Sequence, residues 1–472
     1  MANPYHMTPD EFRTHGYEMV DWIADYLATI GERQIAPDVK PGDIRAMLPD
    51  HAPEAPEGFA AIMADLDQIV MPGITHWQSP GWFAFFPANS SPASILGEMA
   101  SAGLGVQGML WSTSPAATEV ESVVMDWLVD LLGLPAHWKT TDRGGGVINS
   151  STSDSTHLVL AVARHRAADR GPAEDMVAYA SNQAHSSIER GARLAGYGQV
   201  RLIGVDDRYG MDHAQLRRQI AADRSSGLIP VAVTSAIGTT ATTAVDPVRA
   251  VGEIAAENEL WHHVDAAYAG NAMICPEFRV YQDGLELVDS YTFNAHKWLL
   301  TNFDCNILYV ADRRPLIETL STMPAYLQNA ATESGAVIDY RDWHVSLGRR
   351  FRALKLWFVL RSYGAEGLRY LIRSHVALAD ELAARLGADP RFELVAPHPF
   401  ALVCFRASAG NETTEALAAA INAAGDVAVT PMQLGDDAII RVSVGQSYTE
   451  AEHVERLWNL IDTHTPAIQE ES

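Results

Sequence analysis

Apolar residues are distributed along this chain in three successive patterns. Near the start, Met19, Val20, Ile23, Tyr26, Leu27 and Ile30 recur at helical spacing behind the capping box Thr8-Pro9-Asp10-Glu11, and Gly31 ends the run. This predicts a long amphipathic helix. The Pro-rich stretch after it (Pro37, Pro41, Pro49, Pro53, Pro56) encloses little core of its own. From Trp77 to Thr118 a single charged residue, Glu98, stands among apolar residues that small and polar ones interrupt too often for a bilayer span. That stretch is expected to be buried against protein, as core, pocket wall or subunit interface, because so many small polar groups are costly to bury without partners.

Beyond it the period changes. Short β-rich runs at Val177–Ala180, Val200–Val205, Ile229–Ser235, Leu260–Val264, Ser290–Phe293 and Asn306–Val310 alternate with helix-like segments at Glu119–Leu132, Ser186–Ala195, Met211–Ala222 and Pro247–Asn258. Such alternation predicts an α/β domain with a mostly parallel sheet, helices on both faces and ligands at the carboxyl ends of the strands. After about Arg352 a long helical region to Leu386 gives way to strands near Phe392–Val395, Leu402–Phe405 and Ile439–Val444, with a helix at Thr413–Ala424. This reads as a smaller α+β domain. The expected division is a helical segment over residues 1–78, a large domain over 79–354 and a small domain over 355–472.

Length and charge narrow the function. At 472 residues the chain is larger than a single growing core supports. With 34 Lys+Arg against 59 Asp+Glu, the net charge of −25 repels phosphate backbones and anionic lipid, so neither nucleic acid nor a membrane is expected as a partner. Cys275, Cys305 and Cys404 lie far apart without a CxxC spacing, and the first residues lack the basic and apolar regions of a signal peptide. A soluble, cytoplasmic protein is expected. No metal site is expected either: His262 and His263 point to opposite faces of a strand, and no HExxH occurs.

The chemistry concentrates at strand ends. In Asp289-Ser-Tyr-Thr-Phe-Asn-Ala-His296-Lys297-Trp298 an apolar strand delivers a lysine to a site where desolvation depresses its pKa. In Leu260-Trp-His-His-Val-Asp265 a second strand delivers a carboxylate. An Asp and a Lys so placed are what pyridoxal phosphate requires: an amine to bond its aldehyde and an acid to keep its pyridine nitrogen protonated. Gly144-Gly-Gly-Val-Ile-Asn-Ser150-Ser151-Thr152-Ser153 supplies a strand and a hydroxyl-rich turn that opens a helix, an anion cradle without Lys or Arg. His185, just past another strand, is placed to cover the ring.

Together the runs MPGITHWQSP, SPAATEVESVVMDWL, GGGVI, NQAHSSIERG, IGTT, HHVDAAYAG, NAHKWLLTNFDC, PAYL and LGRRFRALKLWFVLRSYG resemble the pyridoxal-phosphate-dependent aromatic L-amino-acid decarboxylases over nearly the whole chain. The resemblance implies the aspartate-aminotransferase-like (type I) fold with a seven-stranded, mostly parallel sheet, and a homodimer with shared active sites. It implies that Lys297 bonds the cofactor, Asp265 pairs with the pyridine nitrogen, His185 covers one ring face near the substrate carboxylate and Ala267 the other, with Thr240 nearby. Ser151, Thr152, Ser153, Asn294 and His296 would hold the phosphate, and Tyr326 would protonate the α-carbon. Trp77, Phe85, Phe86, Pro87 and Ala88 would wall the substrate, while Val106, Gln107, Met109 and Gly348 match positions contributed across the dimer interface. Phe85 and Ala88 lack two hydroxyls that animal members carry, which makes the wall more apolar, and Gly348 resembles members that accept indole rings.

Two alternatives differ in chemistry. Oxygen-consuming aldehyde synthases share the fold but typically replace the loop tyrosine or the stacking histidine, both present here as Tyr326 and His185. A nicotinamide-dependent oxidoreductase is suggested only by Gly103-Leu-Gly105-Val-Gln-Gly108, which matches GxGxxG without the strand that should precede it.

Overall fold

The computed structural model describes residues 5–321 and 337–471, with side chains through Thr465. Seven strands, β1 (Gly145–Asn149), β2 (Met176–Ser181), β3 (Gln199–Ile203), β4 (Ile229–Ala236), β5 (Trp261–Asp265), β6 (Ser290–Asn294) and β7 (Asn306–Val310), form one sheet in the order β1-β7-β6-β5-β4-β2-β3. Only β7 runs antiparallel to its neighbours. Strands β1, β2, β5, β6 and β7 are buried along their whole length, which is why they read as continuous apolar runs and not as an alternation. The edge strand β3 carries the polar residues Gln199 and Arg201 instead.

Among the described residues, the helices of eight or more residues are α1 (Pro9–Thr29), α2 (Pro92–Leu104), α3 (Pro115–Leu132), α4 (Thr152–Arg166), α5 (Ser187–Leu194), α6 (His213–Ser225), α7 (Val248–Glu257), α8 (Ala353–Ala388), α9 (Asn411–Ala423) and α10 (Ala451–Glu471). A second sheet holds β8 (Phe392–Leu394), β9 (Leu402–Ala407), β10 (Thr430–Leu434) and β11 (Asp437–Ser443), all antiparallel in the order β10-β11-β9-β8. Strand β10 escapes the sequence pattern because it is an edge strand that tolerates Pro431 and buries little.

The expected capping box opens α1, with Thr8 Oγ1 accepting from Glu11 N–H and Glu11 accepting from Thr8 N–H. None of the helix's residues is buried within this chain, and Phe12, Tyr17 and Val20 are exposed. The weakly charged stretch from Trp77 to Thr118 is covered only in part by this chain. In α2 the small residues Ser94, Gly97 and Ser101 face inward, while Leu96, Met99 and Leu104 lie exposed. The reason is close packing: a Cβ on Gly97 would stand 2.6 Å from Lys355 Cα, so α2 lies almost backbone to backbone on α8. The GxGxxG match falls at the carboxyl end of α2, where Gly105 adopts φ +61 as the cap and donates to Ser101 O. A helix end that offers carbonyls does not cradle a pyrophosphate.

One buried ion pair ties three elements together. Arg349 and Glu121 of α3 are 2% and 1% exposed, with Arg349 Nη1 and Nη2 donating to the carboxylate at 2.8 and 2.6 Å. Glu121 also accepts from Ile148 N–H of β1, and Arg349 donates to Ile148 O. Removing one partner leaves the other charge buried and unpaired. Glu121→Ala should therefore lower unfolding free energy by about 3–5 kcal/mol, read as a lower urea midpoint.

Candidate active site

The parallel strands aim their carboxyl ends at one region. Strand β5 ends on Asp265, which is 9% exposed and accepts from Ala267 N–H at 3.0 Å. Ala267 O in turn accepts from Asn294 N–H, which joins the ends of β5 and β6. Beyond β6 the short helix Ala295–Trp298 carries Lys297, and the loop after β2 carries His185. Thr240 lies exposed in the turn that follows β4.

These groups perturb one another. Burial depresses the Lys297 amine to about 8; Asp265 opposes the shift and Arg441 adds to it. Burial also raises the Asp265 carboxyl above its usual range, against the pull of Lys297, the Ala267 N–H and His185. His185, exposed in the loop, is pushed down, chiefly by partial desolvation of its ring. A lysine that loses its proton near neutrality is a nucleophile, and a desolvated carboxylate beside it seeks a cation.

The hydroxyl-rich turn is locked from beneath. Ser151 caps α4 by accepting from Asp154 N–H. Thr152 Oγ1 donates to Asn294 Oδ1 at 2.9 Å, and Asn306 Nδ2 donates to that same oxygen at 2.7 Å. Asn294 Oδ1 thus accepts twice, which leaves its amide Nδ2 as the group free to donate. Asn306 is held in turn by Ser155, which also accepts from Asn149 Nδ2. His296 Nδ1 accepts from Cys305 N–H at 2.8 Å, so the ring proton sits on Nε2, and burial holds this imidazole neutral with its pKa near 3. Asn306 and Ser155 were missed in the sequence because register alone sets Asn149, Asn294 and Asn306 side by side on adjacent strands.

Phe86 lines the site. Lys297 Nζ lies 5.0 Å from its ring centroid, and Tyr268 stacks on it at 4.2 Å. Pro87 packs so closely on Gly445 that a Cβ there would meet it at 2.7 Å. Trp77, Trp82 and Phe85 form an adjoining aromatic cluster; Phe85 is exposed and held at φ +56, its N–H donating to Thr430 Oγ1 of the small sheet. Gln78 Nε2 donates to Ala88 O behind this wall. Of the residues matched to the dimer interface, Gln107 and Gly348 meet: Gln107 Oε1 accepts from Arg349 N–H and a Cβ on Gly348 would touch the Gln107 amide, while Met109 O accepts from Arg341 N–H and Val106 packs on the core. Tyr326 lies outside the described residues.

Arg441 of β11 is a third residue that sequence reasoning overlooked. It is 3% exposed, sits 5.3 Å from the Phe86 ring, and donates from Nε to Ala241 O, while its Nη2 has no partner among the described residues. Its signal was an arginine inside the otherwise apolar run from Ala438 to Val442.

Residues 41–408 match the pyridoxal-dependent decarboxylase conserved domain. The chain belongs to this decarboxylase family. It is 44% identical over 469 residues to an Arabidopsis thaliana phenylacetaldehyde synthase, with 96% of each chain covered. It is 43% identical to tyrosine decarboxylase 2 of Narcissus pseudonarcissus, over 96% of this chain and 94% of that one. An Oryza sativa TDC crystal structure with PLP and tryptamine superposes with a TM-score of 0.96 at 40% identity, covering 99% of this chain and 100% of that one.

This decarboxylase's residues fit pyridoxal 5'-phosphate, its cofactor. The depressed amine of Lys297 suits its aldehyde, the desolvated Asp265 suits a pyridinium, and the α4 N-terminus with Asn294 Nδ2 offers neutral donors to a phosphate. Because only the free amine attacks an aldehyde, cofactor uptake by the cofactor-free protein should accelerate as pH rises through about 8. Arg441→Met removes the neighbouring cation, raises the Lys297 pKa and should move that acceleration to higher pH, as followed by stopped-flow absorbance.

Proposed function

We propose that this decarboxylase converts aromatic L-amino acids to the corresponding aryl amines and CO2, acting as a homodimer with shared active sites. The observation that carries the reading is the depressed Lys297 amine beside Asp265, set against an aromatic wall led by Phe86. Bound pyridoxal phosphate supplies an electron sink for the electron pair left when CO2 departs. Asp265 would keep that sink charged by holding a proton at the pyridine nitrogen. His185 and Ala267 would flank the ring, and Ser151, Thr152, Ser153, Asn294 and His296 would hold the phosphate. Tyr326 is assigned as proton donor to the substrate's α-carbon.

Substrate choice follows from the wall. Trp77, Phe85, Phe86, Pro87 and Ala88 offer apolar area without hydroxyls, which supports tryptophan as the first substrate to test, with phenylalanine, tyrosine and dopa as its competitors. The uncovered apolar faces of α1 and α2 support a second copy packed on residues 1–78 and on the flank of the 79–354 domain, with 355–472 as the small domain. In that dimer Val106, Gln107, Met109 and Gly348 would serve the other copy's site. Among the described residues no helix is long and apolar enough to cross a membrane. The three free, buried cysteines support a reducing, cytoplasmic location, and the net charge argues against nucleic acid.

The 44% identity to a phenylacetaldehyde synthase favours one second reading, oxidative conversion to an aldehyde. The presence of both His185 and Tyr326 supports the amine. A panel of tryptophan, phenylalanine, tyrosine and dopa, with histidine and glutamate as controls, should yield amine and CO2 in equal amounts without peroxide. Preference for histidine or glutamate would overturn the substrate class. Peroxide with aldehyde in stoichiometric yield would assign the second reading.

A further inference from the structure

The loop after β2 turns back on itself at His185-Ser186-Ser187-Ile188. Ile188 N–H donates to His185 O at 3.0 Å, closing a tight turn into α5. That turn points two groups of Ser187 at one atom of the histidine: its backbone N at 3.2 Å and its Oγ at 2.9 Å from His185 Nδ1. A backbone N–H can only donate, so Nδ1 is the accepting nitrogen and the ring's proton belongs on Nε2. Ser187 is 4% exposed, so its hydroxyl has no bulk water to serve and its proton also goes to Nδ1.

We propose that Ser187 is a positioning residue that holds His185 as the neutral, Nε2-protonated imidazole and directs that N–H, on the edge turned away from Ser187, toward the substrate carboxylate. This rests on the decarboxylase reading above. Hydrogen bonds donated to Nδ1 stabilise the neutral ring, since protonation there would abolish them. The charged groups that face it are Asp265 from β5, which favours the imidazolium, and Lys297 beyond β6 and Arg190 from α5, which oppose it. The start of α5 adds partial positive charge on the Ser187 side.

Neutrality matters for this reaction. An imidazolium would stabilise the carboxylate of the bound substrate more than the departing, uncharged CO2, and so would raise the barrier. A neutral N–H orients the carboxylate with a weaker ground-state hold. The serine therefore acts through His185 and need not touch the substrate itself.

The test compares the parent enzyme with Ser187→Ala and Ser187→Thr. With histidine labelled by nitrogen-15 and His185→Gln used for assignment, the parent should show an unprotonated Nδ1 and a protonated Nε2, with and without cofactor. Ser187→Ala should move the acid limb of the kcat/KM pH profile upward by about half a unit to one unit, the scale of one hydrogen bond. Ser187→Thr, which keeps the hydroxyl, should restore it. A proton found on Nδ1, or a Ser187→Ala profile that superimposes on the parent's, would overturn the proposal. The spectrum needs no turnover, so an enzyme inactive on aromatic amino acids would overturn the functional reading while the tautomer assignment is decided separately.

Discussion

Desolvation of a lysine next to a carboxylate is the constraint on which the rest of this structure depends. In water both Lys297 and Asp265 would be charged and solvated. At the ends of β5 and β6, burial moves the amine down and the carboxyl up, so each charge is held less comfortably than it would be outside. Such a pair needs a scaffold that fixes both groups from the backbone. Adjacent parallel strands supply it, with Ala267 N–H gripping Asp265 and Asn294 N–H gripping Ala267 O. The Lys297 amine is poised because desolvation disfavours its charged form.

The same economy of charge governs the surroundings. The chain carries a net −25, yet it must hold a phosphate and a carboxylate. The groups assigned to the phosphate are neutral: the α4 N-terminus, Asn294 Nδ2 and His296, which burial holds neutral. Asn306 and Ser155 add nothing to the surface of the site; they orient Asn294 and Thr152 from below. The exception to neutrality is Arg441, brought in from the small sheet through the segment that runs from Phe83 to Asn89. That segment is pinned on one side to β11, by Ser443 N–H to Phe83 O, and on the other to His296 O, by Asn89 N–H.

Much of this was visible in the residues alone. The large-sheet strands follow their apolar runs to within two residues at each end, and Asp265, Lys297, His185 and the Ser151–Ser153 turn stand where strand ends had to put them, because a parallel sheet gives its carboxyl ends a common side. What escaped depends on contacts between distant segments. Arg441 reaches Phe86 from more than 350 residues away, and Asn306 matters only through register. The facing of α2 lay beyond the sequence for a similar reason: core, pocket wall and subunit interface were all open for this stretch, and it is Gly97 that lets the small face pack on Lys355 and leaves Leu96, Met99 and Leu104 outside. Helical periodicity finds an apolar stripe without saying whether this chain or another covers it.

The identity of the reactive amine is the point on which everything else turns, and it can be read directly. Borohydride reduction of the cofactor-loaded protein, followed by proteolysis and mass spectrometry, should place a single phosphopyridoxyl group on the peptide Ala295-His296-Lys297-Trp298. The Lys297→Ala protein should carry none. Label on a different lysine, or retention of label by Lys297→Ala, would contradict the assignment of Lys297 and with it the role given to Asp265.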